Sequence, residues 1–78
     1  MAAVTVRYWA GAARAAGTDS EVLHAGTLAE VRKLLSARPS LTAVCRVASF
    51  LVDGSQAGET APLPPGAVVD VLPPFAGG

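Results

Sequence analysis

The sequence predicts an α+β fold in which a mixed sheet packs on one main helix and ends in an extended C-terminal Gly-Gly tail. Three observations point there. Val4-Thr5-Val6-Arg7-Tyr8-Trp9 near one end and Val68-Val69-Asp70-Val71-Leu72 near the other are rich in the β-branched and aromatic residues of strands. Between them, Thr27-Leu28-Ala29-Glu30 has the form of a capping box, in which the Thr27 hydroxyl accepts from the Glu30 amide while Glu30 reaches back. After the last strand come Pro73 and Pro74, each with a fixed φ and no backbone donor, so regular pairing stops there or runs along a sheet edge.

Taken in order, Val4, Val6 and Tyr8 alternate onto one face of the first strand. Trp9 falls on the other face or at the strand's end, where it covers a core edge or belongs to a partner surface. The alanine-rich stretch 10–16, followed by Gly17, predicts a short helix with a glycine stop. Residues 19–25 read as a second, more polar strand, with Val22 and His24 facing away from Leu23. His24 has no neighbouring carboxylate or thiol pattern and is expected to be a surface strand residue, not a catalytic base. In the main helix Leu28, Val31, Leu34 and Leu35 form an apolar stripe, read as the core face. Pro39 ends that helix by pushing Arg38 out of helical conformation.

Residues 40–47 predict a further helical turn capped by Ser40, with Leu41 and Val44 inward and Cys45 a small buried residue. Phe50-Leu51-Val52 running into Asp53-Gly54 predicts a strand and a tight turn. Residues 55–65, with their glycine and prolines, read as loop, and 68–72 as a strand buried between neighbours. The expected organisation is one domain over 1–72 and a tail over 73–78.

The totals narrow the function. A chain of 78 residues, 51% hydrophobic and 15% charged, has a globular composition, though a domain this small buries only about 60% of its unfolded surface. Six basic and six acidic residues balance, which argues against nucleic acid or an anionic membrane as the main partner. A single cysteine excludes an internal disulfide, and with a single histidine it cannot build a structural zinc site. With no apolar run of membrane-spanning length and no leader pattern, a cytoplasmic, soluble protein is expected.

The tail is the unusual part. Pro73-Pro74-Phe75-Ala76-Gly77-Gly78 carries no ionisable side chain, and its two prolines favour an extended rod without internal hydrogen bonds. Gly77 and Gly78 fit where a Cβ would strike an enclosing wall. Six extended residues reach at most roughly 20 Å, enough to carry a terminal carboxylate into a partner's active site. Phe75 is suited to anchor the tail in an apolar pocket or to pack back on its own sheet. No HExxH, CxxC, GxxxxGK[ST] or GxSxG occurs, and the carboxylates Asp19, Glu21, Glu30, Asp53, Glu59 and Asp70 are scattered, each alone, most of them resembling ordinary solvated positions. A folded domain without a site but with a glycine terminus suggests a substrate or carrier.

If the last strand lies parallel beside the first, the order of elements is that of the ubiquitin-like β-grasp. Val4 to Ala10, Ala13-Arg14-Ala15-Ala16-Gly17, Thr27 to Val31, Leu51-Val52-Asp53-Gly54, Leu63-Pro64-Pro65-Gly66 and the ending Pro-Pro-x-x-Gly-Gly together resemble the MoaD/ThiS family of ubiquitin-like sulfur carriers, and most closely its molybdopterin synthase small-subunit branch. The Pro-Pro-x-x-Gly-Gly ending is the specific part. The resemblance implies a non-catalytic subunit of a sulfurtransferase complex, with no bound cofactor and no metal. Its Gly78 carboxylate would be adenylated by a ubiquitin-activating-type enzyme using ATP and magnesium. A persulfide donor would then convert it to a thiocarboxylate. The large subunit of molybdopterin synthase would receive Pro73, Pro74, Phe75, Ala76 and Gly77, and Trp9 and Arg14 would face partners. Two departures stand out: Ala67 where the family usually has aspartate, and Arg14 without its usual acidic neighbour. Sulfur delivery to another pathway (thiazole, cysteine or another metabolite), conjugation to lysines as a modifier, and a plain interaction module are the alternatives.

Overall fold

The computed structural model describes residues 2–74. The elements are β1 (Ala2–Tyr8), α1 (Gly11–Ala16), β2 (Ser20–Ala25), α2 (Leu28–Ser36), α3 (Thr42–Val47), β3 (Ser49–Val52), β4 (Ser55–Gln56) and β5 (Val68–Leu72). They form one mixed five-stranded sheet in the order β2-β1-β5-β3-β4. β1 and β5 run parallel at its centre, with Val6 opposite Val69 and Tyr8 opposite Val71, and the other pairings are antiparallel. This is the α+β, β-grasp arrangement that the order of elements predicts.

Alternation decides what the core contains. Val4, Val6 and Tyr8 of β1, Phe50 of β3, and Val69 and Val71 of β5 are buried on the helical side of the sheet, where Leu28, Val31 and Leu35 of α2 meet them. Leu41 and Cys45 close the core from α3 and the turn before it. Leu34 departs from expectation: it is 45% exposed, because a nine-residue helix on a small sheet buries a stripe too narrow for four positions.

The ends of the helices follow local chemistry. The Thr27 hydroxyl accepts from the Glu30 amide at 3.2 Å, the first half of the expected capping box. Gly17 closes α1 at φ 77°, its N–H on the Ala13 carbonyl. Ser40, expected to cap the next turn, does not: Leu41 holds the cap position of α3, and the Thr42 hydroxyl donates to the carbonyls of Ser36 and Arg38 at 2.8 and 3.0 Å. That bond joins α3 to the end of α2 and makes a separate cap unnecessary.

Asp53 and Gly54, both at positive φ, make the two-residue turn that suits the strand twist of a hairpin, so Ser55 and Gln56 pair with β3 as a short strand instead of opening the loop directly. Asp53 also ties the turn to β5: its N–H donates to Val68 O at 2.8 Å, and its Oδ1 accepts from Val68 N at 2.9 Å. The following stretch is fastened to α2 through Ala29 N to Glu59 O and Leu63 N to Gly26 O, both 2.8 Å. Arg32 stacks over Phe50, 4.4 Å from the ring centre, with its Nε 2.9 Å from Glu59 Oε1.

One polar cluster sits against the core. The Tyr8 hydroxyl donates to Glu21 Oε2 at 2.6 Å, and the Arg38 guanidinium donates to both oxygens of the same carboxylate. The Arg38 hydrogen bonds hold the Glu21 carboxyl below the usual range, and burial, with the bond to Glu21, pushes the Tyr8 phenol up. The cluster ties β1, β2 and the end of α2 together. Core packing should dominate stability: Leu35→Ala is expected to cost about 2–5 kcal/mol, read as a fall in the urea midpoint at unchanged m-value.

Candidate functional site

Because β1 and β5 are parallel, both finish at the same end of the sheet. β2 and β3 begin there, with Ser20 opposite Arg7 and Ser49 opposite Leu72. That end also carries the turn into α1, and Val47 at the close of α3 lies beside the departing chain at Pro73 and Pro74. Trp9, Arg14 and the first two tail residues therefore belong to one end of the molecule. Phe75, Ala76, Gly77 and Gly78 lie outside the described residues.

The outer face of the two central strands carries an ion pair sealed by an aromatic. Asp70, in the middle of β5, is only 6% exposed. Its Oδ1 accepts from Arg7 Nε at 2.7 Å and from Trp9 Nε1 at 2.9 Å, and its Oδ2 accepts from Arg7 Nη2 at 3.1 Å. The guanidinium carbon lies 5.4 Å from the centre of the Trp9 ring. The Arg7 bonds, aided by the Trp9 bond, hold the Asp70 carboxyl below the usual range although burial opposes them.

Asp70 is thus not the lone carboxylate expected from sequence. Its neighbours across the sheet are invisible until the parallel register sets Arg7 opposite it. An aspartate inside an otherwise apolar strand was the available clue. Trp9 is 44% exposed and lies on the outer face, one edge committed to Asp70 and the rest open.

Leaving β1, the chain turns sharply. Ala10 sits at φ 49°, ψ −125°, and the Trp9 carbonyl accepts from Ala12 N at 2.9 Å, the geometry of a turn whose first central position ordinarily belongs to glycine. A Cβ there is strained by about 1–3 kcal/mol. Beyond the turn, a hollow of about 440 Å³ is lined by Arg7, Tyr8, Trp9, Ala10, Ala13, Asp19 and Ser20. A neighbouring one runs past Ala13 and Asp19 to the exposed Arg14. On the other side of the tail's base, Gly11, Ala43, Val44 and Val47 form an apolar groove with Pro73 and Pro74.

His24 is exposed on β2 and Cys45 is buried. Ala67 is 2% exposed and packs in the core cluster, so the residue that replaces the family's usual aspartate points inward and offers no docking surface. Among the described residues, no three His, Cys, Asp or Glu side chains converge in a way that would hold a metal ion. No helix among them is long and apolar enough to cross a membrane.

A small ubiquitin-like β-grasp domain is the class of protein this geometry defines. A sequence profile of the ThiS family matches residues 6–78, and the chain belongs to that family. Its structure is similar to a putative molybdopterin converting factor subunit 1 from Pyrococcus furiosus (TM-score 0.84, 21% identity, 96% of this chain and 100% of that one). It is also similar to a chain in the complex of subunits 1 and 2 of molybdopterin-converting factor from Helicobacter pylori (0.79, 25%, 97% and 99%). Haloferax volcanii small archaeal modifier protein 1 has the same fold (0.81, 20%, 96% and 100%). The search of curated proteins found no match.

Two outcomes follow from this geometry. Ala10→Gly relieves the turn and should raise stability by about 1 kcal/mol, net of the added freedom of the unfolded chain, seen as a higher urea midpoint. Asp70 and Glu21 have lowered folded-state values, so their stabilisation is complete above about pH 5 and is lost as pH falls through the unfolded and then the folded values. Fluorescence of Trp9, the sole tryptophan, should report the Asp70 step, and Asp70→Asn should abolish that step while leaving the Glu21-dependent loss of stability.

Proposed function

We propose that this chain is a sulfur carrier whose Gly78 carboxylate is the working group, and that it serves as the small subunit of a molybdopterin synthase. The observation that carries this reading is the course of β5. The strand runs through the sheet centre and hands the chain at Leu72 to a half-buried Pro73 and an exposed Pro74. After Pro74 the sequence reads Phe75-Ala76-Gly77-Gly78. Membership of the ThiS family supports a carrier, and the likeness to a subunit 1 that is paired with a subunit 2 supports a large-subunit partner.

The chemistry would be supplied by partners. A carboxylate is a poor acyl electrophile, so a ubiquitin-activating-type enzyme would join Gly78 to AMP from ATP and magnesium, with pyrophosphate leaving. The terminal sulfur of a persulfide would displace AMP, and thiol attack on the resulting acyl disulfide would free the thiocarboxylate. The chain's own part is presentation. Pro73 and Pro74 remove freedom that would otherwise cost about 1–2 kcal/mol per residue to order. Gly77 and Gly78 admit a narrow channel. Trp9 and Arg14, on the same end of the domain, would contact the activating enzyme or the large subunit.

The test is the intact mass of untagged protein incubated with an activating enzyme, ATP and a persulfide donor. An oxygen-to-sulfur exchange localised to Gly78 is expected, and deletion of Gly78 should abolish it without changing the urea midpoint. A mass that does not move would overturn the carrier reading. Lysine-linked higher-mass species that depend on Gly78 would assign it to the modifiers, in line with the fold shared with the archaeal modifier.

A further inference from the structure

The free edge of β2 and the flank of α2 beside it form one surface at the side of the sheet. We infer that this surface docks a second copy of the chain, the two β2 strands pairing antiparallel about a twofold axis at Val22. The hydrogen bonds of β2 show what the edge offers. Tyr8 N–H donates to Asp19 O at 2.8 Å, and alternation along the antiparallel ladder makes Val6–Glu21, Val4–Leu23 and Ala2–Ala25 the bonded pairs. Ser20, Val22 and His24 are left with N–H and C=O directed away from β1, and Ser20 O also accepts from the Thr18 hydroxyl at 3.1 Å. Proteins normally blunt such edges. At the opposite side of the sheet β4 is two residues long, whereas β2 has six, in one-to-one register with β1 and without proline, lysine or bulge. The carboxylate of Glu21 does not guard the edge, because Tyr8 and Arg38 hold it.

Two large hydrophobics are exposed along this edge, one on each side of the sheet. Val22 is 61% exposed on the outer face, and Leu34 lines a groove with His24, Glu30, Lys33 and Ala37 on the helical side. A strand added to β2 covers both. Self-complementarity selects a second copy as that strand. Centred on Val22, the twofold lets Val22 exchange both backbone bonds with its counterpart, while Ser20 on either side bonds His24 of the other copy. The same operation brings Val22 against Val22 on the outer face and sets the two Leu34 side chains across the seam. The charges match as well. Glu30 lies by Gly26, past the end of β2, and Arg38 by Glu21, near its start, so each copy's acidic end falls beside the other's basic end. Six basic and six acidic residues balance, so two copies meet without net repulsion. β5 lies two strands in from this edge, and the dimer does not rest on the carrier reading.

The test is sedimentation equilibrium of the full untagged chain from about 1 μM to about 1 mM, with amide exchange measured at both extremes. A weight-average mass rising from one chain to two is expected, with slowed exchange at Val22 and His24 in the dimer. Val22→Lys sets like charges together at the axis but changes an exposed position. The urea midpoint at low concentration should therefore hold, while the dimer dissociation constant rises about 10-fold or more. Leu34→Gln, which leaves the strand untouched, should weaken the dimer severalfold. A single-chain mass at every concentration would overturn the inference. So would a dimer indifferent to either substitution, or one whose added protection falls on α3 instead of β2.

Discussion

The fold depends on burying β5 from both sides. Val69 and Val71 face the helices, where aliphatic neighbours suffice. Asp70 points the other way, toward what would be open solvent on a five-stranded sheet, and yet it is sealed. A carboxylate covered in this way must find donors, because burial without them is costly by several kcal/mol. Arg7 of the neighbouring parallel strand and Trp9 just past its end supply three hydrogen bonds, and they do so only in the observed register. A one-residue slip would turn Arg7 to the core side and leave the carboxylate alone. The pairing of the first and last strands is thus specified twice, by an apolar match on one face and by a charge match on the other.

That specification governs how the end of the domain at Trp9 and Pro73 is assembled. Once β1 and β5 are parallel and in register, Trp9 and Leu72 leave the sheet side by side. The sharp turn at Ala10 sends the chain into α1 next to the departing tail. The ends of four strands, two short helices and the tail's base then meet in one place, although they come from widely separated parts of the sequence.

Much of this was legible beforehand. The alternation of Val4, Val6 and Tyr8, the Thr27 cap, the Asp53-Gly54 turn and the apolar run 68–72 are local signals, and each lies where its pattern puts it. The readings that failed all depend on tertiary context. Leu34 belongs to the apolar stripe by spacing, but the sheet beneath α2 is too small to cover it. Ser40 has the chemistry of a cap, but Thr42 reaches back across the turn first. Asp70 and Arg7 are 63 positions apart, and nothing in either neighbourhood announces the other. The same holds for Tyr8, Glu21 and Arg38, which are brought together by sheet pairing and the end of a helix. The groove beneath the tail has no sequence signature, since its alanine, glycine and valines are unremarkable until α1 and α3 are set beside Pro73.

The position of β5 has a mechanical consequence. A tail inserted into another protein is subject to tension along its length, directed away from Pro74. In this domain such a load runs parallel to β5, which is bonded along both edges, to β1 on one side and to β3 on the other. Drawing the strand out would mean shearing two ladders together, with the Arg7–Asp70 pair and the Asp53–Val68 bonds resisting as well. An edge strand under the same pull would have a single ladder to break. The strand that leads into the C-terminal residues is therefore held along both of its edges.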